Sequence, residues 1–229
     1  MKKKAVVLVS GGLDSITVLA LAKSQGFELY PLSFFYAQSH KLELEKARAS
    51  LESMGINNHK IMHVDIASFG NSALTDPKIK IPKYDSVNDI KPGVPITYVP
   101  ARNTIFLSFA LAYAEILGAE DIFIGAHILD SGNYPDCKKE FLESFELAAN
   151  IAIGGDNSNK KIRINAPLIE MTKSEIISLG HSLGVDFSNT ISCYDPSEEG
   201  ESCGKCLACT LRLDGFKKAG LTDSAIYIH

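Results

Sequence analysis

Nothing in the chain approaches the ~18 consecutive apolar residues that a membrane-spanning helix needs. No block of like charge extends beyond Lys2-Lys3-Lys4. With a formal net charge of −4, a large nucleic-acid-binding face is disfavoured, although a local basic patch fits within that total. Internal repeats and low-complexity tracts are absent. The apolar run Ala5 to Val9 is too short for a signal-peptide core, and Gly11-Gly12 breaks it. A cytoplasmic protein with neither membrane nor nucleic-acid partner is therefore expected. Cysteine is scarce as well. The five present are an odd number, and four crowd near the C-terminus, a pattern that suggests metal rather than disulfides.

What is present fits an ordinary globular protein, with 45% hydrophobic and 22% charged residues. A chain of 229 residues accommodates one large domain, or a domain with a small appendage. We divide it into a main unit over 1–185 and a C-terminal segment over 186–229.

The first 65 residues alternate strand-like and helix-like patterns. Ala5 to Val9 is a continuous β-branched run, as expected of a strand buried on both faces of a parallel sheet. A helical pattern follows from Asp14 to Gln25, a second strand from Phe27 to Tyr36, a helix over 38–54 and a third strand from His59 to Asp65. This order predicts an α/β fold with a doubly wound, mostly parallel sheet. Residues 66–100 carry Pro77, Pro82, Pro92, Pro95 and Pro100 with little periodicity, which predicts an active-site lid or insert. A helix over 101–117 is apolar nearly all round and should be central or lie at a subunit interface. Asp121 to Ala126 and Lys161 to Asn165 read as further strands, with a helix from Asp136 to Ile153 between them. Thr172-Lys173-Ser174-Glu175 is a capping-box pattern that opens another helix.

Chemistry enters at Ser10-Gly11-Gly12-Leu13-Asp14-Ser15, between the first strand and its helix. Glycines let the backbone turn tightly and bring its N–H groups to an anion, the serines add hydroxyls, and the helix N-terminus adds partial positive charge. Neither Gly-Lys-Ser/Thr nor a third spaced glycine is present, so this is not a triphosphate P-loop or a dinucleotide fingerprint. A plain tight turn is the bland alternative. The second cluster is Cys193, Cys203, Cys206 and Cys209, spaced C-x9-C-x2-C-x2-C. Two overlapping C-x2-C turns and a distant fourth thiolate can wrap one tetrahedral zinc and leave no open position, which makes the site structural. A redox role is the weaker alternative.

The pattern S-G-G-x-D-S after the first strand resembles the pyrophosphate loop of the ATP-pyrophosphatase superfamily. Within it the chain resembles the 7-cyano-7-deazaguanine synthase family. Its aromatic strand and Q-x-H segment appear as Phe35-Tyr36-Ala37-Gln38-Ser39-His40, and its V-P-G/A-R-N as Val99 to Asn103. Its G-Y-P-D-C-R appears as Gly132 to Lys138, with Asn133 inserted and Lys138 in place of arginine. Its cysteine motifs appear as Thr190 to Tyr194 and Cys203 to Cys209. The resemblance spans residues 5 to about 216. Lysine keeps the charge but loses the bidentate fork, which puts the substrate grip in question. Ala101 in place of glycine is a minor departure.

The resemblance implies an adenine nucleotide alpha-hydrolase-like, Rossmann-like fold and an ATP-dependent carbon–nitrogen ligase of queuosine biosynthesis. Such an enzyme adenylates 7-carboxy-7-deazaguanine, adds ammonia to give an amide, and activates and dehydrates that amide to the nitrile. Implied cofactors are one structural Zn²⁺ and Mg²⁺ with ATP, and a homodimer is expected. Ser10, Gly11, Gly12, Leu13, Asp14 and Ser15 would hold the ATP phosphates, with the adenine along Phe34 to Tyr36 and Phe35 against it. Asp14 is also a Mg²⁺ candidate or a helix cap. Arg102 would meet a phosphate or the substrate carboxylate, or form a surface ion pair. Lys173 would reach the α-phosphate or stay solvated. His40 would orient the adenylate or take a proton, or lie on a helix surface. Tyr134, Asp136 and Cys137 would contact the substrate. Asp136 is alternatively the cap of the next helix, and Cys137 a small buried apolar residue. Two other functions fit the same residues: a tRNA-modifying adenylating enzyme, and a zinc-stabilised nucleotide-binding module without turnover.

Overall fold

The computed structural model describes residues 2–36, 41–127, 134–154 and 161–228. Five strands form one parallel sheet: β1 (Lys4–Leu8), β2 (Glu28–Phe35), β3 (Lys60–His63), β4 (Asp121–Phe123) and β5 (Arg163–Asn165). Their spatial order is β3-β2-β1-β4-β5. The order reverses between β1 and β4, which opens a crevice at the carboxyl ends of those two strands. Helices α1 (Leu13–Ser24), α2 (Lys41–Ser53), α3 (Arg102–Leu117), α4 (Lys139–Gly154), α5 (Lys173–Ser182) and α6 (Leu207–Ala219) complete the chain.

Both faces of the sheet are covered. Alternate side chains of a strand point to opposite faces. Val7 and Val9 therefore join Leu19, Leu168, Ile176 and Phe216 in one apolar cluster. Val6 and Leu8 join Leu32, Leu107, Ala110 and Ile122 in the other. Ala5, Val6 and Val7 are fully buried, as the continuous apolar run required. The predicted strands and helices are all present, with ends moved by a few residues. The helix expected over 38–54 is described from Lys41 onward.

Helix α3 turns one face, with Leu107, Ala110 and Ala114, to the sheet and leaves Ile116 exposed. It begins from Ala101 in the left-handed region, at φ 54°. There a glycine is unstrained and an alanine carries a cost of about 1–2 kcal/mol, so this departure is more than minor. The missing side-chain cap is supplied from afar: the Asn103 backbone N–H donates to Asp136 Oδ2 at 2.9 Å. Asp136 thus caps α3, across 33 residues, rather than the helix that follows it.

Residues 66–100 contain only short 3-10 turns at Ala67–Phe69 and Val87–Asp89. They are strapped to the cysteine-rich segment. The Tyr84 N–H donates to the Lys205 carbonyl at 2.7 Å, and Lys83 pairs with Asp195 at 2.7 Å.

Helix α6 was not foreseen. It starts at Cys206 and packs along α5. Its Arg212 is almost completely buried and binds Asp223 through Nε and Nη2, both at 2.8 Å. Arg212 also reaches Thr190 Oγ1 at 2.9 Å and the Phe187 carbonyl at 3.1 Å, and Tyr227 donates to Asp223 at 2.6 Å. Burial disfavours the Asp223 carboxylate, but the guanidinium beside it holds it below the usual range. Asp223→Ala leaves a buried, uncompensated guanidinium and is expected to cost about 3–5 kcal/mol in urea unfolding of the metal-loaded protein. A loss under about 1 kcal/mol would show that this network does not hold the C-terminal segment.

Candidate active site and metal centre

The loop after β1 closes on itself. Ser15 Oγ donates to the Gly12 carbonyl at 2.9 Å and accepts from the Ser10 N–H at 3.2 Å, and the Gly12 N–H donates to Ser10 Oγ at 3.2 Å. Gly12 begins α1 with extended backbone. Gly11 has φ 82°, and a Cβ there would collide with the Glu43 carbonyl of α2. Its own carbonyl accepts from the Ile191 N–H at 3.0 Å. Gly11 therefore serves close packing behind the loop, whereas Ser10, Gly12, Leu13, Asp14 and Ser15 face a cavity of about 230 Å³. Gly125, just past β4, gives the loop room: a Cβ there would lie 3.1 Å from the Ser15 nitrogen.

Opposite the loop, Lys173 at the start of α5 donates to both Asp14 oxygens, at 2.7 and 2.8 Å. Its third contact is His127 Nε2, at 3.0 Å, and that imidazole is 1% exposed. The capping box at Thr172 and Glu175 is present as expected. It sets the helix start and so aims Lys173 inward. Burial disfavours the Asp14 carboxylate, but the Lys173 ammonium and His127 outweigh it and hold the group well below the usual range. Asp14 is thus ionised at the mouth of the glycine loop. It is a hard oxygen donor of the kind that holds Mg²⁺ together with phosphates.

The far end of the cavity is aromatic and cationic. Phe34 and Phe106 stack at 3.9 Å, and Arg102 Nη1 donates to Tyr36 Oη at 3.3 Å. Burial opposes the guanidinium charge, but Tyr36 and Tyr134 favour it more, and Arg102 stays cationic. Tyr134 Oη lies 3.0 Å from Thr97 Oγ1. Asn103 Nδ2 donates to the Asp136 carbonyl at 3.2 Å and contacts Cys137 Sγ at 3.1 Å. Glu43, half-buried, also lines this cavity. Burial pushes its carboxyl up to about 7, and Arg102 only partly offsets that.

The structure brings together Ser10, Gly12, Leu13, Asp14, Ser15, Arg102, Lys173, Tyr134 and Cys137. Besides Gly11, three expected residues are not on the cavity wall. Phe35 points to the opposite face of β2, its ring 5.3 Å from His63, because Phe34 and Tyr36 take the inward positions. Asp136 lies behind the wall, engaged with α3. Lys138 is exposed at the start of α4, so its replacement of arginine does not touch the cavity. His40 and Asn133 fall outside the described residues. His127 and Glu43 were missed. The position of His127, four residues past β4 at the strand-order reversal, was the signal available for it.

The cysteine sulfurs of Cys193, Cys203, Cys206 and Cys209 all lie within 4.8 Å of one another. Zn–S bonds of ~2.3 Å in a tetrahedron put sulfurs roughly 3.8 Å apart, so a modest contraction accommodates an ion. Backbone N–H groups of Tyr194, Asp195, Cys203 and Cys206 point at three of these sulfurs, at 3.2–3.4 Å. These N–H groups favour thiolates; the Cys206 thiol is held well below its ordinary value, first by Cys193, while the Cys193 and Cys209 thiols are pushed up by their sulfur neighbours. The cluster could hold a metal ion. Ile191, Ser192 and Tyr194 beside it, with Ala208 and Leu211 of α6, also form part of the cavity wall.

The model of the queuosine biosynthesis protein QueC matches residues 4–220. The chain belongs to the QueC family. A protein of Rickettsia bellii named 7-cyano-7-deazaguanine synthase is 55% identical over 228 residues, covering 99% of each chain. One of Rickettsia felis with the same name is 54% identical over 226 residues, covering 99% of this chain and all of that one. Among solved structures, NMN synthetase from Francisella tularensis superposes with a TM-score of 0.52 at 17% identity, over 98% of this chain and 80% of the other. That likeness carries the fold alone. Among the described residues no helix is long and apolar enough to cross a membrane.

One prediction follows from Glu43. A carboxyl whose folded value is raised binds its proton more tightly folded than unfolded, so stability is lost as pH rises from the ordinary glutamate range through the folded value. Between pH 5 and 8 the free protein should lose roughly 2–3 kcal/mol more than Glu43→Gln does. Parallel curves for the two proteins in denaturant titrations would refute the burial of this acid.

Proposed function

We propose that the chain is an ATP-dependent ligase that converts 7-carboxy-7-deazaguanine and ammonia to 7-cyano-7-deazaguanine through an adenylated carboxylate and an amide. The observation that carries the reading is one cavity with a phosphate-type glycine loop and Lys173 at one end and Arg102 among aromatic rings at the other. A carboxylate is a poor acylating group because oxide is a bad leaving group, and transfer of AMP supplies a good one. In this reading Ser10, Gly12, Leu13 and Ser15 cradle the leaving pyrophosphate. Lys173 leaves Asp14 for the α-phosphate, where charge develops. Asp14 would hold Mg²⁺, which neutralises phosphate charge when bound. His127 keeps the Lys173 ammonium aimed, and Arg102 takes the substrate carboxylate. Tyr134 and Cys137 border the base, with Asp136 acting through α3.

The metal in this reading is structural Zn²⁺, since four thiolates complete its shell. Thiolates that must stay reduced favour a cytoplasmic setting. Residues 186–229 act as a zinc-binding appendage packed on the 1–185 unit, and residues 66–100 as the cover of the site. A homodimer is favoured by exposed Phe109 and Ile116 on α3 and by Leu147 and Ile151 on α4.

The deciding experiment is mass spectrometry of a reaction with 7-carboxy-7-deazaguanine, Mg-ATP and ammonium. The amide should appear and then the nitrile, with AMP. Lys173→Met should slow turnover roughly 10²–10³-fold without unfolding the protein. Intact substrate and ATP with folded, metal-loaded protein would sink the assignment. Elemental analysis alongside light scattering should give one zinc per chain and two chains per particle. Iron, no metal or a monomer would each overturn the corresponding statement.

A further inference from the structure

The reaction proposed above sheds protons from nitrogen. When ammonia attacks the acyl adenylate, a C–N bond forms and the C–O bond to AMP breaks. AMP leaves with the electron pair, and the attacking nitrogen must lose a proton to become a neutral amide. The amide oxygen then takes a second AMP. The resulting iminium adenylate loses two N–H protons as AMP departs, which completes the C≡N bond. Water is a poor receiver for these protons inside a closed cavity, so a positioned base is needed.

Among the described residues that line the cavity, the carboxylates are Asp14 and Glu43. Asp14 is engaged on both oxygens by Lys173 and would hold Mg²⁺ once that lysine turns to the phosphate, and a carboxylate so stabilised has little basicity to offer. Glu43 differs in each respect. Among the described residues, no hydrogen bond or ion pair ties down its carboxylate. Its backbone lies directly against Gly11, so its side chain leaves α2 where that helix abuts the phosphate loop. Arg102 faces it from the start of α3 and Tyr36 from the end of β2. Among the described residues, Tyr134, Tyr194 and Cys137 are the other titratable groups lining that end, and the loop brings Asp14, held by Lys173, with its glycine and serines. Glu43 therefore shares one cavity wall with the group that would anchor the substrate carboxylate and with the loop that would hold the leaving phosphate. The reacting carbon has to lie between the same two groups.

We propose that Glu43 is the proton acceptor of the amination and dehydration steps. The inference rests on the ligase reading and is separable from it. Burial keeps the acid basic enough near neutrality to take one proton at a time and pass each to solvent before the next: one from the attacking nitrogen as the amide forms, and one from the iminium adenylate, the last N–H proton departing on the AMP phosphate as the nitrile forms.

The test uses the metal-loaded protein and its Glu43→Gln and Glu43→Asp variants, in two assays. Substrate-dependent exchange of pyrophosphate into ATP reports adenylation, which needs no base of this kind. Amide formation from ammonium reports proton removal. Glu43→Gln should keep the exchange, which also shows that it is folded, while amide formation falls roughly 10²–10³-fold and loses its acid-side pH limb. Hydroxylamine, uncharged near neutrality, should recover much of the acyl transfer as hydroxamate, and Glu43→Asp should retain part of the amide activity. Amide formation at the parent rate in Glu43→Gln overturns the inference. So does a parallel loss of exchange with a raised KM for the carboxylate substrate, which would make Glu43 a reader of the base. Absence of exchange in the parent protein overturns the ligase reading and this inference with it.

Discussion

The Asp14–Lys173 ion pair is the contact on which the site depends. Taking both charges out of bulk water carries a penalty of several kcal/mol, and it is offset only because the geometry is near ideal: two N–H···O contacts at 2.7 and 2.8 Å and a third to His127. The pair joins the first helix to the fifth, across the reversal of strand order. It holds the phosphate loop ionised and open at one end of the cavity. A charge pair of this kind adds little net stability, but it is costly to break by halves. Any ligand that takes Lys173 away must give Asp14 another cation in exchange.

The rest of the cavity is built by borrowed contacts. Arg102 sits on a helix whose first turn is capped from 33 residues away by Asp136. The wall near Ile191 is fixed by a hydrogen bond to Gly11 and by the cysteine cluster that follows it. The aromatic end depends on the period-two alternation of β2, which sends Phe34 and Tyr36 inward and Phe35 outward. No single element owns the site. Each supplies one or two groups from its end, as expected where parallel strands stop.

Much of this was legible in the sequence because it rests on local rules. Continuous β-branched runs mark strands buried on both faces, and the capping box at Thr172 marks the start of α5. The glycine loop and the cysteine spacing are local patterns, and the fold places the first on the cavity wall and gathers the second into one cluster of sulfurs. The parts that were not legible depend on long-range partners. Asp136 reads as a substrate contact or as a cap for its own helix, and nothing local says that α3 claims it. Helix α6 hides because it opens on a cysteine rather than a serine or aspartate and because its inward face carries Arg212 and Thr210, which blur the apolar stripe. His127 and Glu43 are single residues without a motif of their own, and their meaning comes only from what the fold sets opposite them.

Gly215 shows how tightly the C-terminal helix is bound into the chemistry. A Cβ at that position would lie 2.5 Å from Lys173 Cγ and 2.8 Å from Ile177 Cδ1, so α6 presses on the stem of the lysine through a gap one atom wide. The lysine's aim is therefore a dimension of the helix–helix spacing, and the first turn of α6 carries Cys206 and Cys209 of the sulfur cluster. A mutational screen for altered activity would find a hit here with no polar group, no ligand contact and no change in the cavity lining. Its effect would be that of a shim placed behind a lever.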